Sequence, residues 1–377
     1  MSNRQRAIVA MIDGLDPAYS TPDVMPELNR LGATGTTTLV DAIAPTVTNA
    51  NNAGISCAAW PSEHGITGNY YYDPVTGDED YMEKAEMLLR PTLMTQVADA
   101  GGKAALLTAK KKTVSLLGTK TTLAVAAEEP PAEFVDRYGE APGIYSAGIN
   151  HWLWTVAVDL LNTRPDIDLL YVHTTDFPMH AWPAGAPESN DHLARLDSLI
   201  GEAVGAAPDA ALFATADHGM NYKSLVYDLN QALANREAPV RRALSAEKDK
   251  YVRHHRTFGG TAWVWLNDSQ DEGRVTDVLN TLPGIERVLT RSDAAETFHL
   301  HPDRIGDLVV LGDPHTVFGD LAEGNESEQL PAEYRSHGSL HETKVPLYAH
   351  NNESLPYARP PRHNKDLLSP LLNGWLH

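Results

Sequence analysis

The stretch Ala210-Ala211-Leu212-Phe213-Ala214-Thr215-Ala216-Asp217-His218-Gly219-Met220-Asn221 joins an apolar run to an acid–imidazole pair. Residues 210–215 read as a strand buried on both faces, as in a parallel sheet covered by helices. Asp217 and His218 follow just past the strand's carboxyl end, where they offer an oxygen and a nitrogen ligand to one cation. Gly219 adds no side chain to crowd that place.

Three other segments have the same form. Asp13 follows the apolar run 7–12 and precedes Gly14. Asp176 and His180 follow the run 167–172, and their spacing puts both on one face of a helical turn. His337 lies in Arg335-Ser336-His337-Gly338-Ser339, ahead of a predicted strand at 345–348. Any one of these residues also reads as a helix cap or a surface histidine. Together they sit at or near strand ends, the edge at which open α/β sheets bind ligands.

The rest of the chain alternates in the same way. Strands are predicted at 6–12, 36–43, 103–108, 168–172 and 210–215, and helices at 24–31, 48–59, 93–100, 149–162 and 192–204. This pattern predicts an α/β fold, a mostly parallel central sheet with helices on both faces. After Asn221 it changes to a helix-like segment at 224–235, a strand at 260–266, a helix at 270–279 and a strand at 285–289. Residues 222–305 therefore read as a small inserted α+β cap. The core is 1–221 and 306–377, re-entered through the clear strand 307–312.

Thr48, in Pro45-Thr46-Val47-Thr48-Asn49-Ala50-Asn51-Asn52, stands where a strand has ended and a helix begins. A hydroxyl there faces unpaired N–H groups and the positive end of the helix dipole, a good place to hold a phosphoryl oxygen. A metal could activate it as a nucleophile. Thr48 also fits a simple N-cap.

Composition narrows the function. The chain has 377 residues, 30 basic and 50 acidic, for a net charge of −20. That excess of acid argues against nonspecific nucleic-acid binding. One cysteine, Cys57, rules out an internal disulfide and fits a reducing compartment. No apolar run reaches membrane-spanning length and no secretory leader is evident, so a cytoplasmic protein with no membrane partner is expected. A homodimer is compatible with the sequence and not dictated by it.

The order Asp13, Pro-Thr-Val-Thr-Asn-Ala-Asn-Asn, His64-Gly65-Ile66, Gly68-Asn69-Tyr70-Tyr71-Tyr72-Asp73, Asp176-x-x-x-His180, Asp217-His218-Gly219, His337-Gly338 resembles the alkaline phosphatase superfamily. It is most similar to the branch with a threonine nucleophile, the nucleotide pyrophosphatase/phosphodiesterases and the phosphonoacetate hydrolases. Leu107-Thr108-Ala109-Lys110-Lys111-Lys112 favours the second group, where a Thr-Ala-Lys-x-Lys segment supplies lysines to the substrate. Lys111 departs from it, since an acidic residue is common between the two lysines.

The resemblance implies an alkaline phosphatase-like fold and two Zn²⁺ ions. Asp176, His180 and His337 would hold one, and Asp13, Asp217 and His218 the other, with the Thr48 oxygen on the second. His/Asp ligation with open positions suits Zn²⁺. The resemblance further implies a phospho-threonine at Thr48 and an Asn69 that donates to a phosphoryl oxygen, although Asn69 alone also reads as a turn residue. The implied substrate is a small phosphonate. Cleaving the P–C bond of phosphonoacetate expels a carbanion, which requires delocalisation into the carboxyl group. Cations at that carboxylate lower the barrier, and Lys110 and Lys112 are placed for this on one side of an extended segment. Left to themselves, the lysines read as a solvated basic turn.

Two further readings compete, a nucleotide pyrophosphatase/phosphodiesterase and an inactive metal-containing binding protein. The complete ligand set with Thr48 argues against the latter. The lack of a Cys/Ser-x-Pro-x-Arg pattern in the nucleophile segment argues against a sulfatase. His341 is a rival to His337 for the metal, but the Ser-His-Gly context favours His337. His64 reads as structural, and His254, His255, His299 and His301 as surface or lining residues of the cap.

Overall fold

A computed structural model describes residues 4–251, 253 and 256–375. His254 and His255 lie outside the described residues. The apolar runs form a seven-stranded sheet in the order Thr36–Asp41, Lys344–His350, Ala211–Thr215, Ala7–Met11, Leu169–His173, Ala104–Thr108, Leu123–Ala126. All neighbours pair in parallel except Lys344–His350, which runs antiparallel to both its partners. Helices flank the sheet; Gly148–Thr163 and Pro187–Ala206 pack on each other, and their apolar residues join the strands in one core. Among the described residues, no helix is long and apolar enough to cross a membrane.

Register matters most for the site. Met11 is level with both His173 and Thr215, and His173 is level with Thr108. The residues that follow these four strands therefore emerge together at one edge of the sheet. Asp13, Asp176, Asp217 and Lys110 lie two or three positions beyond the strand ends. The antiparallel strand starts at that same edge, so the loop carrying His337 arrives there as well.

A second unit follows Asn221. A four-stranded antiparallel sheet has the order Arg242–Ser245, Thr261–Trp265, Leu308–Gly312, Ile285–Thr290. The strand at 307–312 was expected to return the chain to the core. It pairs instead with Thr261–Trp265 and Ile285–Thr290, so the second unit extends beyond 305. A clear strand pattern does not reveal its partner, because both sheets offer apolar faces. The helix expected over 224–235 is also corrected. Leu225–Tyr227 is a strand, and the helix is Leu229–Ala234, started by Asp228, whose carboxylate accepts from Asn230 N and Gln231 N. One face of the four-stranded sheet, with Trp263, Trp265, Val309 and Leu311, packs with Val47 and Ala50 on either side of Thr48.

Asn51 holds the chain ahead of Thr48. It is fully buried, accepts from Ile43 N at 2.8 Å, and donates to the carbonyls of Ile43, Pro45 and Val47 at 3.0, 3.1 and 3.2 Å. Asn364 Nδ2 donates to Asn51 Oδ1 and to the carbonyls of Ala216 and Asp217, tying this loop to the Asp217 strand end. Each buried group left unsatisfied costs about 1–3 kcal/mol. Asn51→Ala is therefore expected to lower the unfolding free energy by about 2 kcal/mol or more, seen as a lower urea midpoint at unchanged slope. An unaltered midpoint would mean that the loop is held by other contacts.

Candidate active site

Thr48 is the first residue of the helix Thr48–Cys57, and Val47 is its N-cap. The simple capping role is therefore not the one Thr48 has. Its hydroxyl is almost fully buried, with Oγ1 3.5 Å from His218 Nε2. Around it the carboxyl edge of the sheet gathers the other groups.

Asp176, His180 and His337 place one donor atom each within 4.8 Å of one another, as do Asp13, Asp176 and His218. His180 Nε2 lies 2.8 Å and His337 Nε2 3.5 Å from Asp176 Oδ2. His218 Nε2 lies 3.5 Å from Asp13 Oδ1 and 3.4 Å from Asp217 Oδ2. The first group matches one implied ligand set. In the second, Asp176 stands as the third donor where the resemblance implies Asp217. Asp217 lies beside it, with Oδ1 accepting from the N–H groups of Gly14 and His218.

The histidines are oriented for ligation. In each, Nδ1 faces a backbone carbonyl: Arg335 O for His180, Gly219 O for His218 and Thr46 O for His337, at 2.7, 2.9 and 2.7 Å. A carbonyl only accepts, so Nδ1 carries a proton and Nε2 is the nitrogen turned to the site, where a cation could take its lone pair. Asp13 Oδ1 and Asp217 Oδ2 are buried with no donor among the described residues. Three buried carboxylates and three oriented imidazoles fit one or two cations, and N/O donors of this kind suit a divalent metal.

Electrostatics carries the same message. Burial and the Asp13 charge push Asp217 well above the usual carboxylate range. Burial and Asp176 also push Asp13 up, but Lys110 and His173 outweigh them and hold it low. Burial disfavours a charged His337, yet Glu247 and Asp176 raise it to about 10. Carboxylates that favour a proton on this ring favour a metal cation there by the same attraction. Burial and His337 lower His218 to about 3, so it stays neutral. The His218 and His337 rings stack with centroids 3.5 Å apart.

Lys110 is the residue before the helix Lys111–Leu117, and Lys112 lies inside that helix, so the expected extended segment is absent. Both amines still lie over the Tyr251 ring, 5.7 and 5.6 Å from its centre. Lys110 Nζ donates to Asp13 Oδ2 at 3.2 Å and Asp176 Oδ1 at 3.4 Å, and Lys112 pairs with Asp249. Neither is a solvated turn residue, since both are buried. Lys111 is exposed and pairs with Glu129. Asn69 is buried; Oδ1 accepts from Asn49 N at 3.0 Å and Nδ2 donates to Glu247 Oε1 at 3.1 Å.

His341, His64 and His299 have their contacts elsewhere. His341 Nε2 reaches Glu286 at 2.6 Å. His64 is buried, its Nδ1 accepting from Ile66 N. His299 packs on Trp60.

Sequence reasoning missed several groups. His173 ends the strand Leu169–His173, with Nε2 3.4 Å from Asp13 Oδ2 and Nδ1 near Asn52, Thr108 and Thr113. A histidine closing an apolar run was its only signal. Glu247, raised to about 7 chiefly by burial, sits between Asn69 and His337 Nδ1, the latter at 3.6 Å. Lys223 and Glu342 form a fully buried ion pair at 2.7 Å, and Glu342 O accepts from Gly219 N. With the short ladder of Asn221–Tyr222 and Arg335–Ser336, that pair joins the His218 loop to the His337 loop.

Comparison with known proteins agrees with this geometry. The profile of the type I phosphodiesterase/nucleotide pyrophosphatase family matches residues 7–340. The structure is similar to phosphonoacetate hydrolase from Sinorhizobium meliloti in complex with phosphonoformate. Its TM-score is 0.87 at 31% identity, covering 98% of this chain and 96% of that one. The complex of the same enzyme with phosphonoacetate matches at 30% identity. Murine ectonucleotide pyrophosphatase/phosphodiesterase 5 shares the fold, with a TM-score of 0.71 at 16% identity over 98% of this chain and 94% of that one. An uncharacterised pyrophosphatase/phosphodiesterase of Schizosaccharomyces pombe is 25% identical over 42% of this chain. The match spans 32% of that relative's length. With the profile running from the first strand to the His337 loop, the chain belongs to the type I phosphodiesterase/nucleotide pyrophosphatase family of the alkaline phosphatase superfamily.

Proposed function

We propose that the protein is a two-zinc hydrolase that cleaves the P–C bond of phosphonoacetate or a closely related carboxy-phosphonate and releases phosphate. The observation that carries this reading is a pair of buried amines at the Tyr251 ring, Lys112 and a Lys110 that also contacts Asp13 and Asp176. A phosphodiester needs no paired cations next to its phosphoryl site, whereas a carboxylated leaving group does. The likeness to phosphonoacetate hydrolase, over nearly the full length of both chains, supports the same substrate class.

Asp13, Asp176, His180, Asp217, His218 and His337 would hold the two ions. When bound, they supply Lewis-acid charge that stabilises the phosphoryl oxygens and favours ionisation of the Thr48 hydroxyl. Thr48 Oγ1 attacks phosphorus from the first turn of its helix, whose N–H groups and dipole face the phosphoryl group. The Asn69 amide, held by Asn49 N and Glu247, orients a phosphoryl oxygen. The P–C bond breaks with its electron pair passing to carbon and into the carboxyl group, whose charge the lysines stabilise. A proton then completes the acetate. Water hydrolyses the phospho-threonine and returns the free hydroxyl. The family's phosphodiesterases make nucleotide phosphodiester cleavage the second reading.

Thr48→Ala is expected to retain metal and fold while losing turnover on every substrate. Near-normal rates in the metal-replete variant would exclude a covalent threonine intermediate. Chelation is expected to abolish activity and zinc to restore it, with metal analysis giving about two ions per chain; full activity of metal-free protein would end the two-metal reading. Lys110→Ala and Lys112→Ala should each slow phosphonoacetate cleavage by roughly tenfold to a hundredfold, the range for a lost charge-assisted contact. A nitrophenyl phosphodiester should be spared. Equal losses on both substrates would assign the lysines to the phosphoryl group or the fold.

A further inference from the structure

The segment Glu247-Lys248-Asp249-Lys250-Tyr251 alternates between inside and outside. Glu247, Asp249 and Tyr251 are buried, whereas Lys248 and Lys250 point outward to Asp320 and Glu83. The three inward groups meet candidate site residues at successive points. Glu247 accepts from Asn69. Asp249 pairs with Lys112, and both side chains are almost completely sealed, at 3% and 2% exposure. The Tyr251 ring lies against both lysine amines, and its hydroxyl donates to Glu128, 2.8 Å from each carboxylate oxygen.

The two lysines are thus committed differently. Lys110 answers to Asp13 and Asp176, the candidate metal ligands. Lys112 answers to a carboxylate supplied by the second unit, outside both ligand groups. That carboxylate is the same chemical group as the one on a carboxy-phosphonate. We propose that Asp249 sets the selectivity of this subsite by competing with the substrate's carboxylate for Lys112. The inference rests on the reading of Lys112 as part of the carboxylate clamp.

An ammonium has three donors, so an incoming carboxylate either displaces Asp249 or shares Lys112 with it. Both routes carry a cost. Displacement breaks a buried ion pair, and sharing puts two like charges side by side in a water-poor site. A ligand whose only anionic group sits at the metals meets neither cost. Asp249 therefore raises the threshold for carboxylated ligands, and only one that also engages the metals through its phosphonate end overcomes it. Tyr251, tied to Glu128, keeps the segment in place while Asp249 yields.

The test uses the full, metal-replete chain and two ligands without a scissile P–C bond. Sulfoacetate carries a sulfonate and a carboxylate; methanesulfonate carries the sulfonate alone. Dissociation constants come from calorimetry. Asp249→Asn keeps the size and a polar contact to Lys112 but removes the charge. It is expected to tighten sulfoacetate by about tenfold, the scale of one charge-assisted contact, and to leave methanesulfonate unchanged. In a Lys112→Met background the same substitution is expected to change neither ligand. Asp249→Ser should repeat the gain, which guards against misfolding of one variant, and Asp249→Glu should behave like the parent. Weaker or unchanged sulfoacetate binding in Asp249→Asn overturns the proposal. So does equal tightening of both ligands, or a gain that persists without Lys112. Turnover of phosphonoacetate separates the two claims. Tightened sulfoacetate with no cleavage by any variant removes the substrate reading and leaves the Asp249 subsite standing. Cleavage by the parent with unchanged sulfoacetate affinity removes only the Asp249 inference.

Discussion

Three carboxylates, those of Asp13, Asp176 and Asp217, are buried together at one edge of the central sheet, and the rest of the site answers to them. Like charges in a low-dielectric interior repel, and burial by itself favours their neutral forms. Yet Asp13 and Asp176 are held low, because Lys110 lies against both and His173 and His180 each add a contact. A cluster so arranged seeks positive charge. Strand register creates it: Met11, His173 and Thr215 end level, so the residues that follow cannot avoid one another.

The second unit contributes more than cover. One face of its four-stranded sheet packs with Val47 and Ala50, which fixes Thr48 from behind. The segment 247–251 contacts Asn69, Lys112 and Lys110. Lys223 and Glu342, with the ladder of Asn221–Tyr222 and Arg335–Ser336, join the two loops that present His218 and His337. Buried ion pairs add little net stability against apolar packing, but breaking one leaves an uncompensated charge. Their value here is geometric, because the stacked rings of His218 and His337 depend on the spacing of those loops.

The net charge of −20 poses a problem for an enzyme of anionic substrates. Part of the answer is that the acid is mostly peripheral, whereas Lys110 and Lys112 are buried at the pocket. Bound cations would add further positive charge at the same place. Asp249 works against this, and that opposition is what makes the subsite selective rather than merely attractive. The fold shared with murine ectonucleotide pyrophosphatase/phosphodiesterase 5 at 16% identity carries no substrate information. On the proposed reading, discrimination would lie in a few side chains around the site, as expected when one scaffold hosts several chemistries.

Apolar runs and the residues at their ends sufficed to read the α/β architecture and the edge that carries the site, because both signals are local; the grouping of Asp176, His180 and His337 came from the family resemblance. A buried parallel strand must be continuously apolar, and the residue that follows it must emerge at the sheet edge. Tertiary structure alone decided the rest. The strand Leu308–Gly312 joined the second sheet because pairing depends on which apolar faces meet, a matter its own composition leaves open. Leu225–Tyr227 became a strand where a helix was expected because Thr316–Phe318 and Ser327–Gln329, distant in sequence, flank it. His173, Glu247, Asp249 and Tyr251 carried no motif, since their roles come from partners distant in sequence: Asp13, Asn69, Lys112 and Glu128. Sequence determines which residues lie at the strand ends; only packing determines which side chain from elsewhere is pressed against them, because that contact is set by the arrangement of whole elements rather than by any local pattern.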